Sequence, residues 1–182
     1  MKRQIRSGLW ETNSSSTHTV YFTSGDMQED ISELSKYIQN DGYLHIEFGE
    51  FGWEIKSYTD AYTKLQYALT MAFVTECTEI VKDDKDTFSF EETAGYKDIN
   101  DLIACRLHCS GIKIDSKIKL RSYEDSDGTI VMYLTCNDGD IDHQSSTDIY
   151  NSLQDFLDYY EISLERFIFD SNVVLHTDND NY

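Results

Sequence analysis

The chain has 182 residues, with 34 acidic side chains against 15 basic ones and a formal net charge of −19. That balance argues against a protein that holds nucleic acid or an anionic membrane by charge, since its own field opposes both. Thirteen Tyr and nine Phe argue against reading the acidity as disorder, and the length suffices to bury roughly 70% of the unfolded surface without staples.

A single domain over 1–182 is the expectation, with a soft lobe boundary at 82–97 that opens on the charged run Lys82-Asp83-Asp84-Lys85-Asp86. Cys77, Cys105, Cys109 and Cys136 are too irregularly spaced for a disulfide framework and read as reduced. Met1 to Arg6 carries charge without an apolar run behind it, and no apolar stretch is long enough to span a membrane, so the expected place is the cytoplasm. There is no proline, so turns fall to Gly, Asn, Asp and Ser.

In chain order, Glu11-Thr12-Asn13-Ser14-Ser15-Ser16-Thr17-His18 is a run of small polar side chains that favours a loop. It passes into a strand over Thr17 to Thr23 that sets His18, Val20 and Phe22 on one face. Met27, Ile31, Leu34 and Ile38 share a helical stripe, with Ser24 as its cap. Leu44, Ile46 and Phe48 alternate in the strand period, and a Gly-containing turn to Trp53-Glu54-Ile55 predicts a hairpin.

Ser57 with Asp60 reads as a capping box before a central, mostly buried helix reaching Val81. A further helix is predicted over about Asp98 to Cys109, ending before Gly111. Ile112 to Glu124 and Thr129 to Cys136 form a hairpin across Asp125-Ser126-Asp127-Gly128. A last helix over about Thr147 to Tyr160, a Phe167-rich turn and a strand from Val173 to His176 complete an α+β fold, with an antiparallel or mixed sheet and about four helices.

The charge is concentrated at one end of the chain. Ser122 to Tyr182 holds fourteen acids and the single base Arg166. Asp138, Asp140 and Asp142 begin like a calcium loop, but the sixth position is His143 rather than Gly and the twelfth is Ile149 rather than Glu, so no metal is expected. Asp125 and Asp127 read likewise as a solvated turn. Asp155, Asp158, Glu161 and Glu165 recur every three or four residues and would form a ladder if the helix ran past Tyr160. Such a row of anions imitates a phosphate backbone.

Cys105 and Cys109 lie one helical turn apart, but a structural zinc site needs four ligands and core packing is the expectation. Ser14, Ser15, Ser16 and Thr17 near His18 and Glu11 offer the parts of a nucleophilic site. No Gly-x-Ser-x-Gly elbow, Walker loop or dinucleotide fingerprint accompanies them, so the chain is expected to be no enzyme and to need no cofactor.

The words Arg6 to His18 resemble an N-terminal Glu-Thr-Asn-Ser-Ser-Ser-x-His signature of small proteins from bacteriophages and mobile elements of gut Firmicutes, and Thr177 to Asp180 resembles the tail of the same group. In that context the length and acidity look like those of anti-CRISPR proteins that inhibit a type II RNA-guided nuclease, a likeness of charge without a shared motif. The resemblance implies a bacterial host cell and, as partner, a type II nuclease with its guide RNA; the charge and spacing of the last third imply that such a basic protein is held through Asp138, Asp140, Asp142, Asp155, Asp158, Glu161 and Glu165, with no direct nucleic-acid binding and no membrane. The alternatives are a phage enzyme using the Ser/Thr/His loop at 11–18 and a virion structural or assembly protein.

Overall fold

The computed structural model describes residues 16–25, 29, 31–52, 54–77, 80–81, 89–137, 139–141 and 150–179. In order these form β1 (Ser16–Phe22), α1 (Ile31–Leu34), β2 (Leu44–Ile46), β3 (Glu50–Phe51), β4 (Lys56–Tyr58) and α2 (Ala61–Glu76). They continue with β5 (Ile80–Val81), α3 (Ala94–Leu107), β6 (Ile112–Ile114), β7 (Ile118–Glu124), β8 (Ile130–Cys136) and β9 (Asp140–Ile141). The last elements are α4 (Leu153–Tyr159), α5 (Leu164–Phe169) and β10 (Val173–Asn179). The fold is α+β: antiparallel sheets β1-β10-β4 and β5-β8-β7 stand beside the parallel pairs β2-β6 and β3-β9.

Helix α2 organises the core. Asp60 caps it, its Oδ1 accepting from the Thr63 N–H at 2.7 Å. Leu65, Tyr67, Ala68, Leu69, Met71, Ala72 and Phe73 are all buried, so the helix is apolar almost all round, the signature of an element inside a domain. Tyr67 packs against Phe51, Phe156 and Phe167, while Phe73 meets Phe48 and Phe90. Two of these five pairs, Tyr67–Phe51 and Phe73–Phe90, are edge-to-face, an arrangement that adds about 0.5–1.5 kcal/mol beyond the area buried. Helix α3 crosses α2 closely at Gly95, where an added Cβ would stand 2.8 Å from that of Ala72.

Strand β10 lies between β1 and β4, with Val20 opposite Leu175 and Ser57 opposite His176. Val173, Val174 and Leu175 are buried without alternation, as a central strand covered on both faces requires. The expected strands at 17–23 and 173–176 are therefore partners across the whole chain.

The expectations that fail do so for identifiable reasons. The Met27–Ile38 stripe yields one helical turn, Ile31–Leu34, continued by a 3-10 turn at Ser35–Tyr37; 26–28 and residue 30 lie outside the described residues. No hairpin pairing joins the described residues of 44–55. Instead β2 pairs with β6 and β3 with β9, both parallel, so their partners come from far along the chain and leave no local signature. Ser57 sits in β4, and the cap of α2 is Asp60 alone. That helix stops at Glu76 rather than Val81, and α3 starts earlier than expected, capped by Thr93. The charged run at 82–86 lies outside the described residues.

The largest correction concerns the acidic ladder. Helix α4 ends at Tyr159, where Glu161 turns to φ +53° and the chain closes a Schellman turn. There Glu161 N–H donates to Asp158 O, and Ile162 N–H to Leu157 O, both at 3.0 Å. The Phe167-rich turn is itself the helix α5, capped by Ser163, whose Oγ accepts from the Arg166 N–H at 3.2 Å. Phe167, Ile168 and Phe169 are all buried, which holds α5 in place despite its six residues.

Candidate functional site

The helix break separates the predicted anions. Asp155 and Asp158 remain one turn apart on α4, Glu161 occupies the left-handed turn, and Glu165 belongs to α5. Asp155 Oδ2 accepts from the Asn151 N–H at 3.2 Å while its own N–H donates to Ser152 Oγ at 3.1 Å, so this carboxylate also serves the helix N-terminus. Asp158 Oδ1 accepts from Gln154 Nε2 at 2.6 Å. Glu165 meets Arg106 Nη1 at 2.9 Å, and the same guanidinium bonds Glu29 and lies over the Phe169 ring.

Asp140 is exposed on β9 opposite Glu50, whereas Asp138 and Asp142 lie outside the described residues. In the β7–β8 turn, Asp125 Oδ1 accepts from Asp127 N–H at 3.0 Å and Asp127 Oδ1 from Thr129 N–H at 2.9 Å. The Thr129 hydrogen bonds hold the Asp127 carboxyl below its usual range. These two acids build the turn, with Gly128 at φ +87° completing it.

Burial divides the acidic set. Among the described acids from Glu124 to Asp178, Asp170 alone is buried, at 1% exposure, with Arg166 Nε 3.2 Å from it. No ion pair joins Asp155, Asp158 or Glu161 to a base among the described residues. The described acids of the last third other than Asp170 are thus not buried, even though their geometry is no ladder.

Of the Ser/Thr/His run at 11–18, the structure describes the side chain of His18. Residues 11–15 lie outside the described residues. His18 is 3% exposed in β1, its Nδ1 3.2 Å from the Tyr67 hydroxyl and its carbonyl accepting from Tyr160 Oη at 3.1 Å. The imidazole faces the core, and burial pushes the Tyr67 phenol well above its ordinary value. His18 docks β1 on α2.

Cys105 is exposed and Cys109 half-buried, so core packing describes neither fully, while Cys77 is the buried thiol, pushed up to about 12 by desolvation. Among the described residues no three His, Cys, Asp or Glu side chains group as a metal site, and no helix is long and apolar enough to cross a membrane.

One constellation was not legible in the sequence. His45 in β2 has Nδ1 2.9 Å from Asp115 Oδ1 and Nε2 3.0 Å from Asp41 Oδ2, and Lys113 Nζ reaches Asp41 at 3.2 Å. Carboxylates only accept, so this arrangement is satisfied by the doubly protonated ring donating to both. The hydrogen bond to Asp41, then that to Asp115, raises the His45 pKa against a desolvation that opposes it, and the same contact with His45 holds Asp41 at about 2. A cleft of about 280 Å³ opens beside it, lined by Lys36, Tyr37, Gln39, Glu47 and Tyr62, with the two tyrosines stacked 4.0 Å apart. Both nitrogens of His45 are committed, so the group pins β2 to the end of β6 rather than serving as a base.

The fold and its surface define an acidic α+β protein with mixed strand pairing around one buried helix. No protein-family model matches the chain, and no match appears among curated proteins or solved structures.

Proposed function

We propose that the chain is a non-enzymatic inhibitor that binds a basic nucleic-acid-handling protein through its acidic last third, and that the partner is a type II RNA-guided nuclease of the bacterial host, as the N-terminal resemblance suggests. The observation that carries the reading is that, of the described acids in the last third, only Asp170 is buried, while Asp155, Asp158 and Glu161 lack a cationic partner among the described residues. Unpaired surface carboxylates are repaid when arginines that normally grip phosphate meet them, which makes association fast and salt-sensitive.

The broken helix changes how the surface would work. Asp155, Asp158 and Glu161 lie on α4 and the turn that closes it, Asp140 stands apart on β9, and Glu165 is already engaged by Arg106. The partner would read separate anionic sites rather than a phosphate-like row. The enzymatic alternative draws no support from His18, whose ring faces Tyr67.

Capture of the tagged protein from host lysate at two salt concentrations tests the reading. A stoichiometric basic nuclease retained at low salt and released at high salt is the expected result. Capture of a virion component, or retention insensitive to salt, would contradict it.

A further inference from the structure

One surface of this anionic protein carries the opposite charge. Four of the fifteen bases, Lys113, Lys117, Lys119 and Arg121, fall within nine residues, and no acid lies between Ser116 and Tyr123. Lys119 and Arg121 belong to β7, which among the described residues has one strand neighbour, β8, and stands at the edge of their sheet. Every residue of β7 after Ile118 is exposed.

Alternation sorts the strand into two faces. Lys119 and Arg121 stand opposite Thr135 and Tyr133 on one face, while Ile118 and Leu120 stand opposite Cys136 and Leu134 on the other. The second face begins on the core at Leu134 and emerges into solvent, where Leu120 is 45% and Ile130 58% exposed. No carboxylate among the described residues pairs with Lys119 or Arg121.

We propose that the edge of β7 at Ile118 to Arg121, which carries no further strand among the described residues, is a docking site for an acidic extended peptide segment of a partner protein, which adds to the β5-β8-β7 sheet as a further strand. An added strand of alternating acidic and apolar residues sets its carboxylates beside Lys119 and Arg121 and its apolar side chains beside Ile118 and Leu120, and main-chain hydrogen bonds supply the rest. Lysine at an edge also deters aggregation, but that role leaves Leu120 and Ile130 unexplained. A second copy is disfavoured by charge, because antiparallel β7–β7 pairing brings Arg121 and Lys119 of the two chains together. This site is independent of the acidic patches, so its failure leaves the function proposed above untouched.

The probe is a short end-blocked peptide of alternating glutamate and valine, titrated into the isotope-labelled full chain while amide shifts are followed. Saturable shifts in β7 and β8, loss of affinity by about tenfold or more in Lys119→Glu/Arg121→Glu, and loss of binding when alternate peptide amides are N-methylated are expected. Equal thermal midpoints for variant and parent establish that the fold is retained. Absence of saturable shifts, shifts centred elsewhere, equal binding of the lysine–valine counterpart, or β7 shifts that track protein concentration through self-association would each overturn the proposal.

Discussion

The ammonium of Lys64, a side chain with no solvent exposure, donates 2.7 and 3.1 Å hydrogen bonds to the main-chain carbonyls of Asp170 and Val173. It thereby ties the central helix to the turn between α5 and β10. Desolvation lowers its pKa to about 8, against the opposing pull of Asp170 and Asp60.

Lys64→Met keeps much of the volume and strands two buried carbonyls, so a loss of about 2–4 kcal/mol is expected in urea unfolding. The pH dependence follows from the lowered pKa. Between about 8 and the ordinary lysine value of 10.5 the unfolded chain binds more protons than the native one, so stability should rise across that window. The rise should be missing in Lys64→Met. Parallel curves for the two proteins would show that the ammonium is not the group responsible.

His45 predicts the opposite sign. Its pKa is raised, so the stabilisation it contributes is fully present below the unfolded value near 6.5 and lost as pH rises through the folded value. Asp41, lowered from 3.8 to about 2, contributes stability above 3.8 that is lost as pH falls toward 2. An NMR titration should place the His45 imidazole above the ordinary range, and Asp41→Asn should bring it down. A His45 that titrates normally would contradict the paired-carboxylate geometry.

The Schellman turn after α4 uses a non-glycine residue at φ +53°. Glu161→Gly relieves a left-handed strain and adds unfolded-state entropy, for a net gain of about 0.5–1 kcal/mol, whereas Glu161→Ala should bring none. Ser163→Ala removes the cap of α5 and should cost about 1 kcal/mol. Thermal melts of the three variants decide the matter; a destabilised Glu161→Gly would mean that the glutamate side chain is needed where it stands.

Much of the fold was legible because its signals are local. The apolar run from Ala61 to Phe73, the cluster Asp125 to Gly128 and the alternation in β7 and β8 each fix an element within its own residues. What stayed hidden depends on distant partners. Alternation at Leu44 and Ile46 announces a strand without saying that Ile112 and Ile114 lie beside it, and nothing near His45 points to Asp115. The break at Glu161 was masked because no glycine marks it, although Ser163 stood in the sequence as a usable cap. The described acids of the last third other than Asp170 are not buried, but the spacing of Asp155 to Glu165 suggested a row that the turn divides.

The central claim is that exposed carboxylates of the last third engage a basic partner. Its most direct test is the affinity of the chain for a guide-loaded type II nuclease at about 50 and 200 mM salt, for the parent and for Asp155→Lys/Asp158→Lys/Glu161→Lys. Tight binding by the parent that weakens steeply with salt is expected, with the variant bound more than about tenfold less tightly and with a shallower salt dependence. Equal affinity and equal salt dependence of the two proteins would contradict it.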